Sequence, residues 1–444
     1  MTGTKRDGRL RVLMVGYNGA NNTGAEALLQ ADIADLRELL GDSASITVPT
    51  LNERNLRRYL SESADLRIVR IPTLYFGAVR RLVRESDLVV LVEGSTYMDT
   101  WGNPLLWAFL WATHCAAKLD RATLAYAVDA GSLSAANERR VSSVASRTDL
   151  IVTRNRAAAQ RLRSIGVAAP IEWTADNAFV YEPEPEDEGW VEREWPASSR
   201  GAIGIAAVDY TAWPAVLRPW GPKASCYKWP YYFSRSPERR KASEQLAEGY
   251  ARLADRLVAR TGRPIAFICM EQLDECLANA IRLRMAHPGA ARLFSARDYN
   301  ASRMTLLLRS LSLLVTSRFH AAVLSLAASV PQIAVGHDLR LRTLYEDAGL
   351  LDEWFLDPRR RGGNGIALEP TLFDALELRI ERLLEEPELQ RRALEDGHRA
   401  MYARARRNRE LLARFLDERF GIPAPEEVRY EAPGLAAFAG GGVR

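Results

Sequence analysis

The stretch Leu311-Ser312-Leu313-Leu314-Val315-Thr316-Ser317-Arg318-Phe319-His320-Ala321 sets an apolar run directly against an arginine and a histidine. A short apolar run closed by a turn signal reads as a strand buried on both faces. Ala321 to Ala328 then reads as the helix that follows it. A guanidinium and an imidazole are thus expected at the C-terminal edge of a strand, beside a helix N-terminus. Open α/β sheets bind ligands at that edge, and helix N-termini attract anions. Arginine grips carboxylates and phosphates through paired hydrogen bonds, and histidine moves protons near neutral pH. A plainer alternative is that His320 caps the helix and Arg318 pairs with a nearby carboxylate.

The same strand, turn, helix order repeats outward from this point. Leu10 to Val15, Ile46 to Pro49, Asp87 to Val92, Ala122 to Val128, Asp149 to Thr153 and Ile171 to Thr174 read as strands. Ala25 to Leu40 and Ala157 to Ser164 have helical spacing. The acidic, proline-bearing stretch Glu182 to Glu194 interrupts the series and reads as a linker. A second series begins at Ala202–Ala206 and continues through the helix Ala242 to Arg260 and the strand Pro264 to Met270. It passes through Leu311 to Thr316 and closes at Gln332–Val335. The expected fold is α/β, two Rossmann-like domains with a cleft between them. Residues 9–181 form the first domain, 182–200 the linker and 201–365 the second domain. Residues 366–420 are charged helices with a solvated face, and 421–444 a flexible, Pro- and Gly-bearing tail.

A chain of 444 residues is too long for one ordinary core, which agrees with this division. Net charge is +4 and spread along the chain, so it gives no argument for nucleic acid. Cys115, Cys226, Cys269 and Cys276 lack metal-ligand spacing, and free thiols are expected. The polar start Met1 to Arg11 and the short apolar stretch Leu105 to Ala117 suggest neither a signal peptide nor a membrane span. The expected location is the cytosol, with the inner face of the membrane as a place of attachment.

The loop Gly16-Tyr17-Asn18-Gly19-Ala20-Asn21-Asn22-Thr23-Gly24 joins a strand to a helix. It is neither GxGxxG nor a P-loop, which disfavours a dinucleotide or ATP site. Asn22, Thr23 and Glu26 can bind a hydroxyl-rich ligand, or simply cap the turn. Glu93-Gly94-Ser95-Thr96 ends the next strand, Arg154 ends another, and Asp338 and Arg340 follow Val335. Arg154 and Arg340 read equally as anion contacts or as surface pairs. Trp101, Trp107 and Trp111 read as core or as a platform for sugar rings or lipid. The aromatic insert Trp220 to Phe233 reads as a lid over the cleft.

In order and spacing these residues resemble the polysaccharide pyruvyl transferase family. The resemblance is carried by Val15 to Glu26, Glu93-Gly94-Ser95, Val152-Thr153-Arg154, Thr174-Ala175-Asp176 and above all Ser317-Arg318-Phe319-His320-Ala321. It implies a glycosyltransferase-B-like fold that moves the enolpyruvyl group of phosphoenolpyruvate onto a sugar, giving a pyruvate ketal and phosphate. His320 would be the acid/base. Arg318, Arg340 and Ser317 would hold the donor, with Arg154 contributing from the other domain. Gly19, Asn22, Thr23, Glu26, Gly94, Ser95 and Asp176 would face the acceptor, a glycan or lipid-linked sugar. Peripheral membrane contact would come through that acceptor. The chain departs from the family at Ala25, at Glu93-Gly94-Ser95, at Val128-Asp129-Ala130-Gly131 and at Arg340. Nothing in the sequence calls for a metal or organic cofactor, and no oligomeric state is implied. Two alternatives stay open: a nucleotide-sugar glycosyltransferase using Glu271 for the ribose, and a non-catalytic anion or glycan binder.

Overall fold

The structure is a computed structural model of the chain. It describes residues 8–423 and 425, except 101, 213–214, 218–219, 222–225, 229–230, 234–235, 337 and 361–365. Trp101, much of the expected lid and most of the expected tail therefore lie outside the described residues.

A seven-stranded sheet organises the first half. Its spatial order is Leu66–Arg70, Ala44–Thr50, Leu10–Val15, Leu88–Leu91, Ala122–Val128, Leu150–Thr153, Ile171–Trp173. All neighbours run parallel. Alternate residues of one strand point to opposite faces. Val12 and Met14 accordingly join the core beneath the helix Thr23–Leu40. Leu13 and Val15 join the core beneath the helices Phe76–Glu85 and Asn103–Lys118.

The second half holds a six-stranded parallel sheet. Its order is Ala291–Ser295, Ile265–Cys269, Ile203–Ala206, Leu313–Thr316, Gln332–Val335, Phe355–Leu356. The series therefore does not close at Val335, because Phe355–Leu356 adds an edge strand beside it. Leu66–Arg70 escaped the sequence reading because arginines interrupt its apolar residues, as suits a strand next to solvent.

Both sheets reverse their strand order beside the central strand, between Leu10–Val15 and Leu88–Leu91 and between Ile203–Ala206 and Leu313–Thr316. Such switch points leave a crevice beyond the strand ends. The two crevices face each other across the cleft.

The linker and the charged C-terminal helices are both partly buried. Within the linker, the helix Trp190–Glu194 buries Trp190 against Phe294 and Tyr299, and its Nε1 donates to the Arg303 carbonyl at 3.0 Å. The long helix Arg391–Phe420 is charged on one face only. Leu394 and Met401 pack into the second domain, whereas Leu411, Leu412, Phe415 and Leu416 pack into the first. Two strands of the aromatic insert, Cys226–Lys228 and Tyr231–Phe233, form a small antiparallel sheet with the preceding Ala215–Leu217. Cys115, Cys269 and Cys276 are free thiols. Among the described residues no helix is long and apolar enough to cross a membrane.

Candidate functional site

Where the crevices meet, a cavity of about 740 Å³ is lined by both domains. Asn22, Gly24, Glu93 and Ser95 line it from the first domain, and Ser317, Arg318, His320 and Arg340 from the second. Each lies in the loop or the first helical turn that follows the C-terminal end of a parallel strand, which is why residues far apart in sequence converge.

His320 opens the helix Phe319–Leu326 and reaches across to the first domain. Its Nε2 lies 3.6 Å from Asp176 Oδ2. Its Nδ1 rests on Gly24, where an added Cβ would sit 2.0 Å away. The glycine is thus required by close approach, not by backbone conformation. Asp176 is buried and fixed from three sides. Its Oδ1 accepts from the Ala178 N–H at 2.9 Å, and its Oδ2 accepts from Arg154 Nη1 at 2.6 Å. Burial acts to raise its pKa, but Arg154 and His320 outweigh this and hold the carboxyl well below the usual range. A carboxylate so held can orient an imidazole and stabilise its protonated form.

Arg154 supports this arrangement from behind. Its Nε donates to Asp129 Oδ2 at 2.9 Å, and the Phe319 ring centroid lies 4.6 Å from Cζ. Burial lowers its pKa, but Asp129 and Asp176 reverse the shift and keep it charged. Ala127, at φ 50°, sits where the pairing of this strand with Leu150–Thr153 shifts register. Such an irregularity re-aims the residues that follow it, among them Asp129. Gly94 leaves room for the guanidinium, since a Cβ there would lie 2.3 Å from Nη1.

Arg318 donates through Nε to Asp274 Oδ2 at 2.9 Å, through Nη2 to the same carboxylate, and through Nη1 to Glu271 at 3.4 Å. The carboxylate pairing offered as the plainer alternative is therefore present, and Arg318 still lines the cavity. Burial pushes Asp274 up to about 6, with Arg318 opposing it. Arg340 sits in the first turn of the helix Leu339–Asp347, which Asp338 caps, and its Nε donates to Asp338 Oδ2 at 2.8 Å. Burial raises the Asp338 pKa, but Arg340 overrides it and holds the carboxyl at about 2. The Ser317 hydroxyl donates to the Val335 carbonyl.

The structure places other expected contacts away from the cavity surface. Gly19, at φ +71°, makes a turn against Thr50 and Asn52, and its N–H donates to the Tyr59 hydroxyl at 3.0 Å. Thr23 is buried, and its N–H donates to the Met270 carbonyl at 2.9 Å. Glu26 accepts from Arg58 and, at 3.0 Å, from the Ala301 N–H of the second domain. It joins the domains and is buried. Arg154, Gly94 and Asp176 are buried behind the lining. Asn22 lines the cavity while its Oδ1 caps the helix Thr23–Leu40 by accepting from the Ala25 N–H at 3.1 Å.

Sequence reading passed over Asp129 and Asp274 as partners and read Glu93 only as part of a small-residue turn. For Asp129 and Glu93 the signal was available, since each stands just beyond an apolar strand, whereas Asp274 lies further on in the loop after Cys269. Among the described residues, no group of three or more His, Cys, Asp or Glu side chains is placed to hold a metal ion.

Solved structures of low sequence identity share the fold. HepE of Anabaena, solved with UDP, superposes with a TM-score of 0.54 at 13% identity, covering 92% of this chain and 100% of HepE. The UDP-GlcNAc 2-epimerase of Methanocaldococcus jannaschii gives 0.58 at 10% identity, covering 92% and 99%. That of Neisseria meningitidis, solved with UDP-GlcNAc, gives 0.56 at 10% identity, covering 91% and 100%. At such identities the likeness establishes the fold alone. No curated protein sequence gives a match. The polysaccharide pyruvyl transferase family model matches residues 22–338, a span from the helix-capping Asn22 past the Ser317–His320 turn to Asp338. The chain therefore belongs to the polysaccharide pyruvyl transferase family and is a transferase.

Proposed function

We propose that the chain transfers the enolpyruvyl group of phosphoenolpyruvate to two hydroxyls of one sugar, forming a pyruvate ketal and releasing phosphate. The observation that carries this reading is the convergence of Arg318, Arg340 and an Asp176-paired His320 on one cavity. Phosphoenolpyruvate is a small trianion, and two guanidiniums on adjacent strand ends suit its carboxylate and phosphate. Asp274 and Asp338 keep these cations in place before the donor arrives. His320 passes a proton from an acceptor hydroxyl to the departing phosphate, and Asp176 steadies the imidazolium between those steps. The acceptor, a glycan or lipid-linked sugar, enters from the Asn22 and Ser95 side.

HepE and the epimerases are described with UDP or UDP-sugars, so a nucleotide-sugar donor is the rival reading. Here Glu271, the acidic group available for a ribose, lies 3.4 Å from Arg318 and forms a capping box with Asp274. The deciding experiment incubates the protein with phosphoenolpyruvate and methyl glycosides carrying free 3,4- or 4,6-diols. Phosphate release with a new ketal methyl signal supports transfer. Silence there, with a thermal shift on adding UDP, supports the rival.

A further inference from the structure

Glu93 follows the strand Leu88–Leu91 and lines the cavity, yet it is only 8% exposed. Its Oε1 accepts from the Ser95 N–H and the Ser95 hydroxyl, each at 3.2 Å. Its Oε2 is shut off from solvent and has no hydrogen-bond partner. The charged groups that act on it are His320 and Arg154, and its own charge is felt by Asp32 and Tyr59. A half-satisfied buried carboxylate costs more than the neutral carboxylic acid in the same place. Burial raises the Glu93 pKa, with the Ser95 N–H, His320 and Arg154 opposing. On the domain opposite to the imidazole the cavity wall thus carries a carboxyl whose burial and half-satisfied hydrogen bonding favour the protonated form.

This inference rests on the transfer reaction proposed above. Ketal formation takes protons from two acceptor hydroxyls and delivers them to different places. One ends on C3 of the enolpyruvyl group, which becomes a methyl, and the other leaves with phosphate. We propose that Glu93 is the second proton-transfer group of the site, serving C3 while His320 serves the phosphate. In the first stage the Glu93 proton bonds to C3 as the C2–C3 π pair moves to it. The first acceptor oxygen then bonds to C2, and its proton restores Glu93. In the second stage the C2–O bond to phosphate breaks and its electron pair leaves with the phosphate. The second acceptor oxygen bonds to C2, and its proton reaches the phosphate through His320.

The test uses Glu93→Gln, which keeps the shape and the Ser95 contacts but not the transferable proton, and Glu93→Asp, which keeps an acid. Wild type and variants are incubated with phosphoenolpyruvate and the same methyl glycosides, following phosphate release across pH. Glu93→Gln is expected to lower kcat by roughly 10²–10⁴-fold, with KM for phosphoenolpyruvate and Tm unchanged. Glu93→Asp is expected to recover part of the rate with a displaced pH limb. Wild-type rates and an unaltered pH profile in Glu93→Gln would overturn the role of Glu93 while leaving the transfer reaction standing. Parallel loss of Tm and rate in both variants would make Glu93 structural and equally end the proposal. Should the wild-type protein release no phosphate, the transfer reading falls and this inference falls with it.

Discussion

At Gly24 a single missing side chain holds the site open. The His320 ring occupies the volume that a Cβ would fill, 2.0 Å from Nδ1. Gly24→Ala is therefore expected to displace the imidazole from Asp176 with little change in Tm, because alanine suits a helix. Rate should fall by at least tenfold while donor affinity stays close to wild type, which steady-state kinetics and calorimetry would read separately. An unchanged rate would show that the ring does not need this position. Gly24 was visible in the sequence only as part of the strand-to-helix loop from Gly16. Its true constraint comes from a histidine in the other domain, and no local pattern carries that information. The same holds for Arg318, whose partner Asp274 is 44 residues away. The arginine and the strand that presents it could be read directly, because the apolar run Leu313–Thr316 ends in a charge.

Strands buried on both faces were the easiest elements to recognise. Leu10–Val15, Ala122–Val128 and Gln332–Val335 begin and end where the sequence pattern places them. Elements with one polar face were harder, as Leu66–Arg70 and the docked Trp190–Glu194 show. The helix Leu339–Asp347 gives a pH-dependent test of its capping pair. Asp338 is held at about 2 when folded, below its unfolded value near 4. Its stabilisation is accordingly present above pH 4 and is lost as pH falls through 2. Asp338→Asn should cost on the order of 1–2 kcal/mol at neutral pH, and the gap from wild type should close between pH 4 and 2. Denaturant titrations at several pH values would measure it. A gap independent of pH would assign the loss to something other than the Arg340 ion pair.

Across the whole molecule, one helix ties both cores together. Arg391–Phe420 inserts Leu394 and Met401 into the second domain and Leu412 and Phe415 into the first. Arg409 Nε donates to Asp35 at 2.7 Å, and Asn408 Nδ2 donates to the Ala175 carbonyl at 3.0 Å, next to Asp176. The arginine-rich sequence of this helix hides these contacts, since its apolar residues are sparse. Leu412 is 1% exposed. Leu412→Ala should destabilise the protein by about 2–5 kcal/mol, as removal of a buried leucine usually does. Thermal unfolding would record it, and a loss below 1 kcal/mol would mean that the helix end is not part of the first core. The two-domain arrangement matters because neither half alone assembles the site: His320 and its carboxylate come from opposite sides of the cleft. The most direct test of the account is calorimetric titration of phosphoenolpyruvate into wild type, His320→Ala and Arg340→Gln. The account predicts saturable binding to wild type, retained in His320→Ala and sharply weakened in Arg340→Gln. No binding at millimolar donor, or equal binding by wild type and Arg340→Gln, would contradict it.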